Sequence, residues 1–131
     1  MAPSRNARRF GGAVAACTVA ASGYFAVSGL VDPGGLVVGG GQAASRTYAA
    51  YMAIRGVVLL GALVWLLAVR AWRPLGLLLA LNGAVQLGDA VIGAVHGQVP
   101  QTAGPVVFAV ALFAAARPLG GLTANPEERP T

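Results

Sequence analysis

The chain has 131 residues, of which 56% belong to the hydrophobic set AVILMFWYC and 10% are charged. In soluble domains about a quarter of all residues are charged. This composition therefore excludes an ordinary water-covered globular domain and indicates a membrane protein. The formal net charge is +5, because nine arginines outnumber four acidic residues.

Four stretches have no charged residue or only one, and each is close to the ~20 residues that a helix needs to cross a ~30 Å hydrocarbon core. They are residues 10–31, 47–69, 74–95 and 97–116. The pattern predicts an all-α integral membrane bundle of four transmembrane helices that forms a single domain. Too few residues remain for a soluble domain, and we expect residues 117–131 to be a disordered tail.

The first span follows Arg8-Arg9, which resembles a twin-arginine signal, and it contains Cys17 in a sequence that resembles a lipoprotein processing site. The apolar run continues well past Cys17, so we expect an uncleaved first helix. Cys17 is the only cysteine, which excludes an intrachain disulfide. Three small residues at helical spacing would allow close helix approach, namely Gly12, Ala16 and Ala20.

The segment 32–46 begins with a turn signal, Asp32-Pro33-Gly34-Gly35. Residues 36–44 then match a strand followed by G-x-G-x-x-A, the dinucleotide-binding pattern. A membrane span follows instead of a βαβ unit. The first acidic residue after the pattern is Asp89, too far along the chain to bind the ribose. We therefore predict no cofactor, and we leave open whether this segment is an ordered cap or flexible.

The second and third spans each contain one charged residue, Arg55 and Asp89. They are joined by the short basic turn Arg70-Ala71-Trp72-Arg73-Pro74, so the spans should run antiparallel side by side. Each charge is 17 residues from Trp72 (72−55 and 89−72), which places both about 25 Å from the turn. Charges at matched depth in a bilayer should pair or line a wet cavity. The pair is either a salt bridge that locks the hairpin or part of a site.

Polar residues recur at helical spacing on both of these spans. The third span carries Asn82, Gln86, Asp89, Gly93 and His96. The second carries Tyr48, Tyr51 or Met52, and Arg55. We expect both stripes to face the bundle interior, because polar groups are unfavourable against lipid. Ordinary alternatives are interhelical hydrogen bonds for the amides, an interface belt for the tyrosines and a solvated loop position for the histidine.

Arginines flank the spans asymmetrically. If the N-terminus is cytoplasmic, the inside segments hold seven of them, Arg5, Arg8, Arg9, Arg70, Arg73, Arg117 and Arg129, and the outside loops hold only Arg46. This bias predicts a multi-pass protein of the cell membrane with both termini cytoplasmic. Cations placed in this way favour membrane lipids as partners and argue against nucleic acid.

Three sequence segments resemble the core of a family of small four-span bacterial membrane proteins called domain of unknown function 4267. They are 51–56 (YMAIRG), 86–90 (QLGDA) and His96-Gly97, and the resemblance covers about residues 45–118. It implies the four-span architecture, and that family has no assigned activity. An acid often follows the arginine in the family, whereas Gly56 stands here, so a shared site is not implied. The absence of lysine and abundance of alanine, glycine and arginine are typical of actinobacterial genomes.

Three functions remain open. The first is a non-catalytic protein that binds a lipid, a lipophilic small molecule or a partner protein, with Arg55, Tyr48, Tyr51, Asn82, Gln86 and His96 as candidate binding residues. The second is a membrane enzyme, such as an isomerase or cyclase, with Asp89 as general acid or base. The third is a subunit of a transporter, which would require a homo-oligomer. One histidine and one cysteine on different spans predict no metal site.

Overall fold

The computed structural model describes residues 2–36 and 42–122. The described residues form four α-helices: α1 Arg5–Val31, α2 Ala43–Ala68, α3 Trp72–Val95 and α4 Val99–Ala116. A short 3-10 helix, Pro33–Gly35, follows α1. Each of the four α-helices is long and apolar enough to span a membrane. The predicted all-α class and the four predicted spans are confirmed, and the chain is a multi-pass membrane protein by these criteria.

Helices α1, α2 and α3 begin earlier than the apolar stretches, α3 by only two residues. Helix α1 starts at Arg5, because the Ser4 hydroxyl accepts a hydrogen bond of 3.2 Å from the Ala7 backbone N–H and caps the first turn. Helix α2 starts at Ala43, before the predicted start of its span at residue 47. The helices therefore extend beyond their apolar segments, and the first turns of α1 carry the arginines.

The chain divides into two compact units, which are described separately. The first, here called the hairpin unit, comprises Met1–Ala15 and Leu66–Thr131 and therefore contains α3, α4 and the start of α1. The second, here called the α1–α2 unit, comprises Ala16–Trp65.

Helices α3 and α4 pack against each other as an antiparallel pair in the hairpin unit. The contact is close because glycines of α3 lie against α4: a Cβ atom on Gly83 would lie 3.0 Å from the Phe113 ring, and one on Gly93 would lie 2.7 Å from the Gln101 carbonyl oxygen. Small residues allow such close approach, which is how membrane helices gain van der Waals contact. The buried residues of α3 are Leu75, Gly76, Leu79, Ala80, Gly83, Ala90 and Gly93.

Leu119 closes the end of the hairpin unit that lies opposite the α3–α4 turn. This side chain is 2% exposed, and it lies against Gly11 of α1 and Gly76 of α3. Residues 117–122 form turns after α4. The prediction of a disordered tail from residue 117 is therefore wrong for 117–122, because Leu119 supplies an apolar anchor that holds this segment against two helices. Residues 123–131 of the predicted tail lie outside the described residues.

The buried side of α1 differs from the predicted one. The predicted small-residue face was Gly12, Ala16 and Ala20, whereas Ala16 and Ala20 are exposed. The buried residues of α1 are Ala7, Gly11, Ala15 and Thr18. Small residues occupy nearly every position of this helix, so their spacing does not select one face, and the choice depends on neighbours such as Leu119.

Three helices end with the same pair of backbone hydrogen bonds, the Schellman pattern. At the end of α3 the Gly97 N–H donates to the Ala94 carbonyl (3.1 Å) and the Gln98 N–H donates to the Gly93 carbonyl (2.8 Å). Gly120 occupies the equivalent position after α4, and both glycines have positive φ, 67° and 79°. After α2 this position is Arg70, with φ 56°. An L-residue with a side chain is strained there, whereas glycine is not.

The α1–α2 unit contains most of the first two helices. Gly23 of α1 faces Leu60 of α2, since a Cβ atom on this glycine would lie 3.9 Å from the Leu60 Cδ1. Leu63 and Thr18 are fully buried. The predicted turn after α1 is present, with the Gly35 N–H donating to Asp32 Oδ1 at 3.2 Å. Most of the glycine-rich segment that resembles a dinucleotide-binding pattern, residues 37–41, lies outside the described residues.

Candidate functional site

The polar stripe of α3 lies along one edge of its contact with α4. Asn82 and Gln86 are half-buried, and Asp89 and His96 are exposed. Gly93, the remaining member of the predicted stripe, is buried against α4 and belongs to the helix contact. The polar residues are offset by roughly a quarter of a helical turn from the middle of the side that faces α4. The stripe is therefore accessible from outside the helix pair, and we call it the α3 polar edge (Asn82, Gln86, Asp89, His96).

The α3 polar edge is long rather than compact. At ~1.5 Å per residue, Asp89 is about 4.5 Å from Gln86 along the helix axis, but about 10 Å from both Asn82 and His96. A direct hydrogen bond needs about 3 Å between heavy atoms, so Asp89 and His96 cannot share a proton directly. The arrangement suits an elongated molecule better than a small reacting group held between two side chains.

Two of these side chains bond to the backbone of their own helix. Asn82 Nδ2 donates to the Leu78 carbonyl at 2.9 Å. His96 Nδ1 lies 2.9 Å from the Ile92 carbonyl, which can only accept, so this bond places the ring proton on Nδ1. These bonds fix the side chains and leave the Asn82 carbonyl oxygen and the His96 Nε2 as acceptors. The bond of Asn82 lies within α3 and is not an interhelical one.

The tyrosines and the arginine of α2 lie on an exposed face. Tyr48 and Tyr51 are each 64% exposed, and Arg55 is exposed as well. Leu60 marks the side of α2 that faces α1. Viewed down the helix axis, these three residues are rotated from Leu60 by a third to a half of a full turn. Within the α1–α2 unit this stripe does not face α1, because the side toward α1 is taken by apolar and small residues. The expectation that it faces the bundle interior stays a prediction.

The two charged residues of the spans belong to different units, Arg55 to the α1–α2 unit and Asp89 to the hairpin unit. Their pairing, derived above from equal sequence distance to Trp72, stays a prediction.

An open depression of about 310 Å³ lies at the α3–α4 turn. Its lining is mostly apolar: Ala94, Gly97, Val99, Thr102 and Ala103. The Thr102 hydroxyl donates to the Gln98 carbonyl at 2.8 Å, so its polar group is used within α4. The depression offers a hydrocarbon-compatible surface, and no member of the α3 polar edge is among its lining residues. Sequence analysis did not single it out, because it is formed by small residues that carry no motif.

Thr18 is a polar residue that sequence analysis also missed. Its side chain is fully buried and has an interaction within the structure. The signal was weak, since Ser22 is the only polar residue three or four positions from Thr18 in an alanine-rich helix. Among the described residues, no group of three or more His, Cys, Asp or Glu side chains is placed so that it could hold a metal ion.

Comparisons with protein-family models, with curated proteins and with solved structures give no match to this chain. The resemblance to the proteins of domain of unknown function 4267 stays a prediction.

Proposed function

We propose that the protein binds a lipid or another lipophilic small molecule along the α3 polar edge, with both termini cytoplasmic. The observation that carries the proposal is the exposure of Asp89 on a helix long and apolar enough to span a membrane. A charged side chain inside a membrane costs up to about 2.5 to 3.5 kcal/mol on insertion scales, the full value applying at the helix centre and less toward the end where Asp89 lies, and such residues usually mark a functional site. A bound molecule with a polar group beside Asp89 would offset this cost.

The surroundings of Asp89 indicate an amphiphilic ligand. Gln86 lies on the same edge one turn earlier, so a polar group could be bound by a carboxyl and an amide together. Val85 and Ile92 border the edge and are 54% and 61% exposed. A molecule with hydroxyl, amine or amide groups on a hydrocarbon body would contact both kinds of surface.

Binding is better supported than catalysis. A general acid or base works best with a second group within hydrogen-bond reach of the reacting atoms. His96 is about two helical turns from Asp89, and its Nδ1 is used by the Ile92 carbonyl. The α3 polar edge thus provides separated contact points along a ligand. An isomerase or cyclase activity remains the alternative, and the experiment below includes it.

The test is mass spectrometry of small molecules and lipids that co-purify with the wild type and with Asp89→Asn in mild detergent. Asp89→Asn keeps the size of the side chain and removes its charge. Arg46→Gln is the matched control, because it also removes one charge and lies at the start of α2, in the α1–α2 unit. Thermal unfolding of all three proteins checks that each is folded.

We expect a distinct compound in the wild type and in Arg46→Gln that is at least tenfold depleted in a folded Asp89→Asn. Equal retention in all three proteins would refute the proposal. Incubation of the wild type with the recovered compound then separates binding from turnover: a new product of equal mass would favour the isomerase alternative. A complex of several copies with no bound compound would instead favour the transporter subunit.

A further inference from the structure

Six arginines gather at one end of the hairpin unit. They come from three segments: the first turns of α1 (Arg5, Arg8, Arg9), the α2–α3 turn (Arg70, Arg73) and the residue after α4 (Arg117). Contacts between these segments place them at the same end. Gly11 and Gly76 both lie against Leu119, and the Arg8 guanidinium lies 5.9 Å from the centre of the Trp72 ring. We call this surface the arginine end.

The described residues of the hairpin unit place no acidic side chain at the arginine end. Their single acid is Asp89, which is sixteen residues beyond Arg73 on α3 (89−73), or about 24 Å along the helix. The positive charges of Arg5, Arg9, Arg70 and Arg117 are all on exposed residues. An anionic group from outside this part of the chain would therefore meet several guanidinium groups.

Arg70 indicates that the cation itself is needed at this position. The equivalent positions after α3 and α4 hold Gly97 and Gly120, which adopt positive φ without strain. Arg70 adopts φ 56°, which disfavours a residue with a side chain by about 1–2 kcal/mol. Glycine would form the same turn more easily. Strained residues of this kind concentrate at functional sites.

Apolar surface continues directly from the arginines. Phe10, Val69 and Leu77 are each about half exposed and lie one to four residues from Arg9, Arg70 and Arg73, respectively. A free phosphate ion would use only the guanidinium groups, whereas a phospholipid would use both surfaces. Arginine binds phosphate oxygens through paired N–H donors, and basic clusters at the ends of membrane helices bind anionic headgroups.

We propose that the arginine end binds the headgroup of an anionic phospholipid, with Arg9, Arg70 and Arg117 as phosphate ligands. Trp72, held beneath Arg8, lies at the level of the headgroup, where tryptophan is favoured. This site lies at the other end of α3 from His96 and is independent of the ligand proposed for the α3 polar edge.

The test measures thermal unfolding of delipidated full-length protein in nanodiscs of phosphatidylcholine alone, or with added phosphatidylglycerol or cardiolipin. Native mass spectrometry of the same samples counts retained lipids. The variants are R9Q/R70Q/R117Q, its lysine counterpart R9K/R70K/R117K, and the control Arg46→Gln in the α1–α2 unit. Arg70→Gly is a second variant that removes the whole side chain but suits the positive φ of the turn, so its folding is safeguarded.

We expect phosphatidylglycerol and cardiolipin each to raise the unfolding temperature of the wild type and of Arg46→Gln above its value in phosphatidylcholine alone. Retention of cardiolipin should fall at least tenfold in the triple glutamine variant, fall about fivefold in Arg70→Gly, and fall less in the lysine variant, which keeps the charge but not the paired donors. The proposal is wrong if Arg70→Gly and the triple glutamine variant retain cardiolipin as the wild type does. It is also wrong if inorganic phosphate alone produces the same stabilisation.

Discussion

Helices α2 and α3 have similar sequence signals but different surroundings. Both are long apolar helices with a single charged residue in the span and with polar residues at helical spacing. Seven residues of α3 are buried, along a side that contacts α4 through glycines, whereas the buried residues of α2 are Ala53 and Leu63. The polar residues of α3 therefore lie beside a packed contact, and those of α2 lie on an exposed face.

This difference shows how a polar stripe becomes a candidate site. Beside a helix contact, Asn82 and Gln86 are half-buried and partly fixed, so they can form one wall of a groove. On an exposed face, the tyrosines have no such wall, and their amphipathic rings suit the membrane interface. Equal helical spacing in the sequence does not distinguish the two situations.

The largest expected difference in stability is between two glycine-to-alanine substitutions on different sides of α3, Gly93→Ala and Gly88→Ala. Gly93→Ala should lower the free energy of unfolding by about 1–3 kcal/mol, because its Cβ would lie 2.7 Å from the Gln101 carbonyl oxygen and the helices would have to separate. Gly88→Ala should be neutral or stabilise by up to about 1 kcal/mol, since nothing lies within 4 Å and alanine favours the helix. Thermal unfolding in detergent measures both. Equal effects would mean that the glycine-lined contact does not control stability.

The ends of the two helices provide the next comparison. Gly97→Ala after α3 should destabilise by about 1 kcal/mol, because φ is 67° and a Cβ atom meets no neighbour, so the effect is one of backbone conformation alone. Arg70→Gly after α2 should have the opposite effect and raise the free energy of unfolding by up to about 1 kcal/mol. Both are measured in phosphatidylcholine, where the proposed anionic lipid is absent. A loss of stability in Arg70→Gly would show that the arginine side chain contributes more to folding than its strain costs.

The smallest expected effect is on the exposed face of α2. Tyr51→Phe removes a hydroxyl from a side chain that is 64% exposed, and the change in the free energy of unfolding should remain within about 0.5 kcal/mol. Retention of the compound lost in Asp89→Asn should also be unchanged. A folded Tyr51→Phe that loses this compound would instead place Tyr51 in the binding site and make the two stripes parts of one surface.

Much of the secondary structure follows from local sequence. The four spans were predicted because runs of about 20 apolar residues can be stable in a bilayer only as helices, whose backbone groups are satisfied internally. The turn at Asp32 and the polar spacing on α3 were also predicted, since both depend on residues close together in the chain. The helix starts at Arg5 and Ala43 were missed, because hydropathy reports the apolar segment and not the ends of the helix.

The sequence by itself determined that the chain is an all-α membrane protein, where its helices lie, and that Asn82, Gln86, Asp89 and His96 share one side of α3. Only the tertiary structure decided which sides are covered. It assigned Gly93 to the contact with α4, buried Gly11 rather than Gly12, and anchored residues 117–122 through Leu119. The physical reason is that periodicity fixes positions around one helix, whereas burial depends on how closely the surfaces of different helices fit together.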